Sequence, residues 1–312
     1  MPKHDIIAIG ASAGGVEAIQ QLCAQFPPAL EAVVFVVIHI PQRMRSLLPA
    51  ILSRCGPLPA VEAADGMPIQ PGRIYIAPPD LHLEVERGHI RLSGGPKEQH
   101  CRPAINVTFR SAALAYGERV VGVILTGEMD DGIAGLWEIK RRGGIAIVQN
   151  PEEAFYPSMP LSALRELAVD YTVRLAEIGP LLCRLALGEG EGKRTSLEKE
   201  AMEPTLTDLT CPECRGTIWE VPRGDGNAFE YRCRVGHTYS PTTMLTAAWS
   251  TQENVLYSAI VALEEGASLA NRLVDKFHPD LRQQLLQESR DRQAEAEVLR
   301  KLLAERRTFN IY

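Results

Sequence analysis

Short runs of apolar residues alternate with helix-like stretches along the first 183 residues of the chain. Four of the runs are apolar over nearly their whole length and do not alternate with polar residues: Asp5–Ile9, Ala32–Ile40, Arg119–Thr126 and Gly144–Gln149. Uninterrupted runs of this kind are typical of parallel strands that are covered on both faces.

The stretches between these runs carry apolar residues at spacings of three and four, which predicts amphipathic helices. The predicted helices are Gly15–Phe26, Ser46–Cys55, Ala104–Tyr116, Asp131–Arg142 and Ser158–Leu167. This alternation predicts an α/β fold, with a doubly wound, mostly parallel sheet and helices on both of its faces.

Residues 73 to 93 interrupt this alternation of strands and helices. Arg73–Ala77, His82–Glu86 and His89–Ser93 are predicted as antiparallel strands, and Arg87-Gly88 provides a turn between the last two. A small hairpin is therefore expected beside the parallel sheet.

The second half of the chain changes in composition near residue 187. Charged residues and glycine dominate 188–206, as in an exposed linker, and a Cys/His module is expected over 207–250. A helical region is expected over 251–312, with a break at His278-Pro279. The predicted division is thus a domain at 1–187, the linker, the module and the helices. Because of the linker, we expect the module to be uncoupled from the large domain.

One apolar series marks the first of the C-terminal helices. Its members follow one another at spacings of four and three: Leu256, Ile260, Leu263, Ala267, Ala270, Val274 and Phe277. Such a seam either folds back onto its own domain or binds a partner protein, for example a regulator.

Composition and charge exclude several classes of protein. The formal net charge is −6, so a strongly basic surface and a main role in nucleic-acid binding are not expected. No window approaches 18 uninterrupted apolar residues and the N-terminus lacks a signal-peptide pattern, so we expect a cytoplasmic protein without membrane insertion. Four of the seven cysteines are interpreted as buried core residues without a chemical role: Cys23, Cys55, Cys101 and Cys183.

A serine lies on the tight turn after the first predicted strand. Gly10, Ser12 and Gly14 form a G-x-S-x-G pattern directly before a helix, which is the arrangement of a nucleophile elbow. The first amides of that helix could then stabilise an oxyanion. A dinucleotide-binding loop is the alternative, although the pattern lacks the central glycine of G-x-G-x-x-G.

A base and a carboxylate follow two other strands. His39 ends the second apolar run and would face the same edge of the sheet as Ser12, unless it is a core histidine bonded to backbone. The third run leads into Glu128, Asp130 and Asp131, which supply three candidate carboxylates for the third partner. Asp131 precedes a glycine that opens a helix, so it could equally be a helix N-cap.

These residues lie within six blocks that resemble the catalytic domain of the CheB family of chemotaxis receptor-glutamate methylesterases. The blocks are IGASAGG (9–15), VIHIPQ (37–42), GRIYIAPPDLHL (72–83), CRPAINVTFRSAA (101–113), LTGEMDDGI (125–133) and QNPEEAFYPSMP (149–160). Their order along the chain is the same as in the family. The resemblance covers residues 5 to 183.

The resemblance implies that Ser12 is the nucleophile, His39 the general base and acid, and Asp131 the orienting carboxylate. It also implies hydrolysis of glutamate γ-methyl esters on receptor helices, often with deamidation of glutamines, and no cofactor for catalysis.

The chain departs from the family in three respects. The family's usual receiver domain is not expected, because only four residues precede the first strand; Ala13 follows the serine where threonine is common; and Glu128 replaces a frequent methionine.

A second constellation lies in the appended module. Cys211, Cys214, Cys233 and His237 form C-x2-C-x18-C-x3-H, and three thiolates with one imidazole match a tetrahedral structural zinc site. Strands are expected between the two pairs, at Thr217–Val221 and Phe229–Arg232. A redox C-x-x-C is the alternative interpretation. The segment also resembles the C-terminal extension of stand-alone members of the same family.

Two classes of function therefore compete. The first is a cytoplasmic serine esterase that acts on methylated chemoreceptors or other signalling proteins. The second is a non-catalytic signalling scaffold built on a methylesterase-like domain, in which the metal module and helices do the regulatory work. A nucleotide-binding protein is a weaker third hypothesis.

Overall fold

The computed structural model describes residues 3–39, 46–190, 203–223, 228–276 and 279–305. The chain divides into two compact units, Met1–Thr243 and Met244–Tyr312. The domain boundaries drawn from the sequence remain a prediction, and of the predicted linker, residues 191–202 lie outside the described part of the chain.

A seven-stranded parallel sheet forms the centre of the first unit. Its strands are β1 (Ile6–Ala11), β2 (Val33–Ile38), β3 (Ala60–Glu62), β4 (Arg73–Ile76), β7 (Val120–Ile124), β8 (Ile145–Gln149) and β9 (Tyr171–Val173). Their spatial order is β3-β4-β2-β1-β7-β8-β9. All residues of β1, β2, β7 and β8 are buried, as their uninterrupted apolar sequences predict.

Helices cover both faces of this sheet, and each face has its own apolar core. The helices are α1 (Gly15–Cys23), α2 (Leu48–Cys55), α3 (Ile105–Tyr116), α4 (Ile133–Arg141), α5 (Ser158–Glu166) and α6 (Leu175–Ala186). One core contains α1, α2 and α6, and the other contains α3, α4 and α5. The predicted doubly wound architecture is confirmed.

The region from 73 to 93 differs in part from its prediction. Strands β5 (His82–Glu86) and β6 (His89–Ser93) form the expected antiparallel hairpin. Arg73–Ala77 was expected to be antiparallel as well, and this is wrong, because β4 pairs in parallel with β2 and β3. Its apolar residues Ile74, Tyr75 and Ile76 are buried between the two cores, which favours a central position over an edge hairpin.

The Cys/His module is a four-stranded ribbon. Its strands are β10 (Thr205–Thr210), β11 (Thr217–Arg223), β12 (Ala228–Cys233) and β13 (Thr238–Tyr239). Helix α7 (Pro241–Leu273) follows directly, ten residues earlier than the sequence predicted. The expectation that the module is uncoupled from the large domain is wrong, since its residues hydrogen-bond to loops of the α/β domain within the same unit.

The described residues of the second unit form the remainder of α7, a short 3-10 helix (Val274–Lys276) and α8 (Pro279–Ala304). Three seam residues, Ile260, Ala267 and Ala270, are buried. A side chain at Gly266 would meet Arg292 of α8, and Arg300 pairs with Glu264, so the two helices pack against each other. These three residues therefore serve internal packing. Leu256, Leu263 and Val274 of the seam are half-buried, and Phe277 lies outside the described residues. None of the described helices has the length and apolarity to cross a bilayer.

Candidate active site

Ser12 occupies the turn between β1 and α1, at the carboxyl edge of the sheet. Gly14 has φ of +70°, a left-handed conformation that glycine adopts without strain. A Cβ atom at Gly10 would lie 2.4 Å from Cγ2 of Ile105, so only glycine lets α3 begin this close to β1. The two glycines of the G-x-S-x-G pattern thus have separate roles, one in the turn and one in helix packing.

His39 lies directly after β2, next to the serine. Its Nδ1 is 3.1 Å from Oγ of Ser12, and its Nε2 is 2.9 Å from Oδ2 of Asp131. With the proton on Nε2 donated to the carboxylate, the Nδ1 lone pair can accept the serine proton. The structure therefore brings together the three residues that the sequence singled out, with one hydrogen bond on each side of the ring.

Asp131 is almost completely buried, with a side-chain exposure of 2%. Besides His39, its carboxylate accepts hydrogen bonds from the backbone N–H groups of Ile105 at 2.6 Å and Asn106 at 3.1 Å. These amides open α3, and a helix N-terminus stabilises negative charge. The N-cap alternative is thus wrong for the following helix α4, where Gly132 holds the cap position. The carboxylate instead caps α3 while it orients His39.

The other two acidic residues of this loop do not contact the histidine. Glu128 is exposed, and Asp130 is buried and points to hydroxyl groups of Ser240 and Thr243 in the ribbon segment. Because exposure lets water screen the Glu128 carboxylate, the departure from the family at this position carries a small electrostatic cost.

A thiol completes the surroundings of His39. The sulfur of Cys101 lies within 4.8 Å of side-chain nitrogen and oxygen atoms of His39 and Asp131, so Cys101 is not the buried core residue that the sequence suggested.

The contacts of His39 change its pKa. Burial by itself lowers the pKa of His39, but hydrogen bonding to Asp131, followed by the contact with Cys101, outweighs burial and raises this pKa above its usual value. Cys101 lies four residues before α3, the helix whose first amides bind Asp131, and sequence reasoning did not use this position.

A cavity of about 600 Å³ lies beside the serine turn, lined by residues that include Gly14, Thr126 and Tyr156. Phe155 forms part of the same lining and is 81% exposed. Its Cβ lies 3.3 Å from where a Cβ on Gly14 would be. Phe155 therefore lies against the turn that carries Ser12.

The four metal-ligand candidates converge in the ribbon, with their ligand atoms within 4.8 Å of one another. Nδ1 of His237 lies 3.7 Å from Sγ of Cys211 and 3.4 Å from Sγ of Cys233, and Sγ of Cys214 lies 3.6 Å from that of Cys233. A tetrahedral zinc ion with Zn–S of ~2.3 Å and Zn–N of ~2.0–2.1 Å separates its ligands by about 3.5–3.8 Å. The cysteines are not disulfide-bonded, and the four residues fit a closed structural zinc site.

The fold and the contacts of Ser12, His39 and Asp131 define the class, a serine hydrolase on a parallel α/β sheet. The CheB methylesterase family model matches residues 7–182. The chain belongs to the CheB methylesterase family.

Relatives and one solved structure agree with this assignment. A protein of Leptospira interrogans is 36% identical over 184 residues, which cover 59% of this chain and 95% of that protein. The protein-glutamate methylesterase/protein-glutamine glutaminase 2 of Methanosarcina mazei is 34% identical over 58% of this chain, and this chain spans 52% of it. The Thermotoga maritima CheB methylesterase catalytic domain superposes with a TM-score of 0.56 at 32% identity, covering 58% of this chain and 98% of that domain.

Proposed function

We propose that the protein hydrolyses γ-methyl esters of glutamate residues on chemoreceptors or related signalling proteins, and that it also deamidates glutamines there. The observation that carries this proposal is the continuous contact from Ser12 through His39 to Asp131, within a chain of the CheB methylesterase family. A scaffold that had lost catalysis would not need to keep all three side chains in this geometry.

In the proposed reaction, Oγ of Ser12 attacks the ester carbonyl carbon while Nδ1 of His39 takes the serine proton. The tetrahedral intermediate collapses when His39 returns that proton to the methoxide, and methanol leaves. Water, deprotonated by His39, then attacks the acyl-serine carbonyl carbon, and His39 passes that proton to Oγ of Ser12 as the glutamate carboxyl group is released. Asp131 stabilises the imidazolium that forms in both steps. With glutamine as substrate, ammonia leaves in place of methanol.

Backbone amides of the serine turn are the proposed donors to the oxyanion. The amides of Ser12 and Gly15 already donate to carbonyl groups of Thr126 and Ser12. We therefore assign this role to the amides of Ala13 and Gly14, which lie between them in the turn. Donors fixed in a folded turn stabilise the developing charge without reorganisation.

The decisive test is methanol release from a methylated receptor fragment, measured alongside ammonia release from the same fragment with glutamine at that position. We expect both products, with the ester cleaved faster because methoxide leaves more readily than an amide nitrogen. No methanol above the background of Ser12→Ala would overturn the proposed function.

We further propose that the ribbon binds one structural zinc ion through Cys211, Cys214, Cys233 and His237. A ribbon of this size buries too little apolar surface to fold alone, so zinc would supply much of its stability. We expect one zinc per chain in protein purified without chelator, and loss of that zinc in Cys214→Ser. Cys55→Ser, a half-buried cysteine of α2, is the matched control and should keep the metal. Absence of zinc, or a disulfide among these thiols, would contradict the proposal.

Regulation is proposed to come from a partner protein at the C-terminal helices. Since Ile260, Ala267 and Ala270 of the seam are already buried, such a partner would bind the exposed apolar side chains of the helices. Among these, Val255 and Leu269 are 55% and 58% exposed.

A further inference from the structure

Two loops that border the triad are held by the ribbon segment. The first, residues 127–131, carries Asp130 and Asp131; the second, residues 96–101, ends at Cys101 beside His39. Neither the family match, which ends at residue 182, nor the chemistry of ester hydrolysis accounts for these contacts.

The contact with the first loop is a buried cluster around Asp130. Ser240 and Thr243 donate hydrogen bonds from their hydroxyl groups to the two oxygens of its carboxylate, the latter at 2.9 Å. The exposures of Asp130, Ser240 and Thr243 are 5%, 4% and 0%. The amide of Thr243 also donates to Oγ of Ser240 at 3.1 Å, so Ser240 caps the start of α7 and the carboxylate lies at that helix N-terminus.

The contact with the second loop is made by residues adjacent to the proposed metal ligands and by the start of α7. Glu213, between Cys211 and Cys214, lies 3.2 Å from Nδ1 of His100, and the amide of Gln99 donates to the carbonyl of Thr238 at 2.9 Å. The side chain of Gln99 in turn accepts the amide of Ser240 at 2.9 Å. The loop is therefore clamped between the metal site and the start of α7.

Both loops contain residues with positive φ, a backbone conformation that depends on surrounding contacts such as those with the ribbon. Gln99, His100 and Met129 have φ of 50°, 62° and 67°, in the left-handed region that residues other than glycine rarely adopt. Such residues persist where surrounding contacts over-determine them. Cys101 and Asp130 directly follow these positions, so relaxation of either loop would displace groups next to His39.

We infer that the metal-organised ribbon is a positioning part of the active site: Ser240 and Thr243 hold Asp130, the metal site holds residues 96–101, and together they fix Asp131 and His39 relative to Ser12. The inference rests on the proposed esterase activity and on the proposed zinc site. Displacements of about 1 Å at a reacting group can cost 100-fold in rate, so loss of the ribbon contacts slows catalysis without removing any catalytic residue.

The first experiment is the double substitution Ser240→Ala/Thr243→Ala in the full chain. We expect the zinc content to be unchanged, kcat to fall at least tenfold and KM to stay nearly the same. The acidic limb of the pH profile should shift to lower pH, because a displaced Asp131 stabilises the His39 imidazolium less well. The hydroxyl-preserving exchange Ser240→Thr/Thr243→Ser should restore most of the rate. Thr210→Ala/Thr217→Ala, at two exposed ribbon positions that face each other, is the matched control. A double alanine variant with wild-type kcat and pH profile would overturn the inference.

The second experiment needs no receptor substrate and remains decisive if the double alanine variant does not fold. Chelation of zinc from the full chain should slow the reaction of Ser12 with a fluorophosphonate at least tenfold, measured by mass spectrometry, and added zinc should restore the rate. An unchanged rate after zinc loss would refute the inference. If the labelling depends on zinc but no methylated receptor is hydrolysed, the proposed function fails and the positioning role stands.

Discussion

Ser12→Ala and His39→Ala should each lower the rate of methanol release by roughly 10³ to 10⁶. The first removes the nucleophile, and the second removes the group that accepts its proton at 3.1 Å. Because the two residues act as a unit, the double variant should be little slower than either single variant. Initial rates with the methylated receptor fragment provide the measurement.

Two control variants separate the loss of catalysis from a loss of folding or a general effect of replacing a histidine. His39→Gln retains an amide that can donate to Asp131 but cannot serve as a base, so it should be as inactive as His39→Ala while the melting temperature stays close to wild type. His89→Ala changes an exposed histidine on the hairpin and should keep full activity. If the losses in Ser12→Ala and His39→Ala multiply in the double variant, the two residues do not act together.

Asp131→Asn should lower kcat by about 10³ to 10⁴. Asparagine removes the negative charge that stabilises the imidazolium, and its amide NH2 group would face backbone donors of Ile105 or Asn106. His39 accepts a proton only when neutral, so activity rises with pH through the pKa of His39. In the wild type, Asp131 contributes most to raising that pKa, and the acidic limb should lie above the ordinary value of about 6.5. In Asp131→Asn the limb should move to lower pH.

Glu128→Gln is the matched control for this change, since it neutralises an exposed carboxylate in the same loop. We expect its kcat to stay within about threefold of wild type, as for a screened surface charge. Activity of Asp131→Asn within the same range would show that Asp131 is not the orienting carboxylate.

Local sequence signals were sufficient for the part of the fold that positions the triad. Fully apolar runs identified β1, β2, β7 and β8, and in a parallel sheet the residues that follow such strands meet at one edge. This rule placed Ser12 and His39 near the acidic loop at 128–131, and the family resemblance then identified Asp131 within that loop. The hydrogen bonds of Asp131 to the start of α3 did not follow from it, because they depend on how closely a helix approaches the sheet.

Contacts between distant segments account for what the sequence did not predict. β4 has a short apolar run that suits either a hairpin or a parallel strand, and only its neighbours β2 and β3 decide between them. The buried cluster of Asp130 with Ser240 and Thr243 joins residues 110 and 113 positions apart. Ser240 followed by Pro241 is a helix-start pattern that could have placed the beginning of α7 correctly, but no local pattern indicates what a helix start will contact.

The separation of the three residues along the chain predicts the order in which the site is assembled during folding. Ser12 and His39 are 27 residues apart and belong to one β1-α1-β2 unit, whereas Asp131 is 92 residues beyond His39 and follows β7. Closing the shorter loop costs less conformational entropy, so the serine and histidine can meet before β7 pairs with β1. An incompletely folded chain would then hold a nucleophile and a base without their orienting carboxylate. We therefore expect esterase activity to recover during refolding only when the central sheet is complete, later than secondary structure recovers.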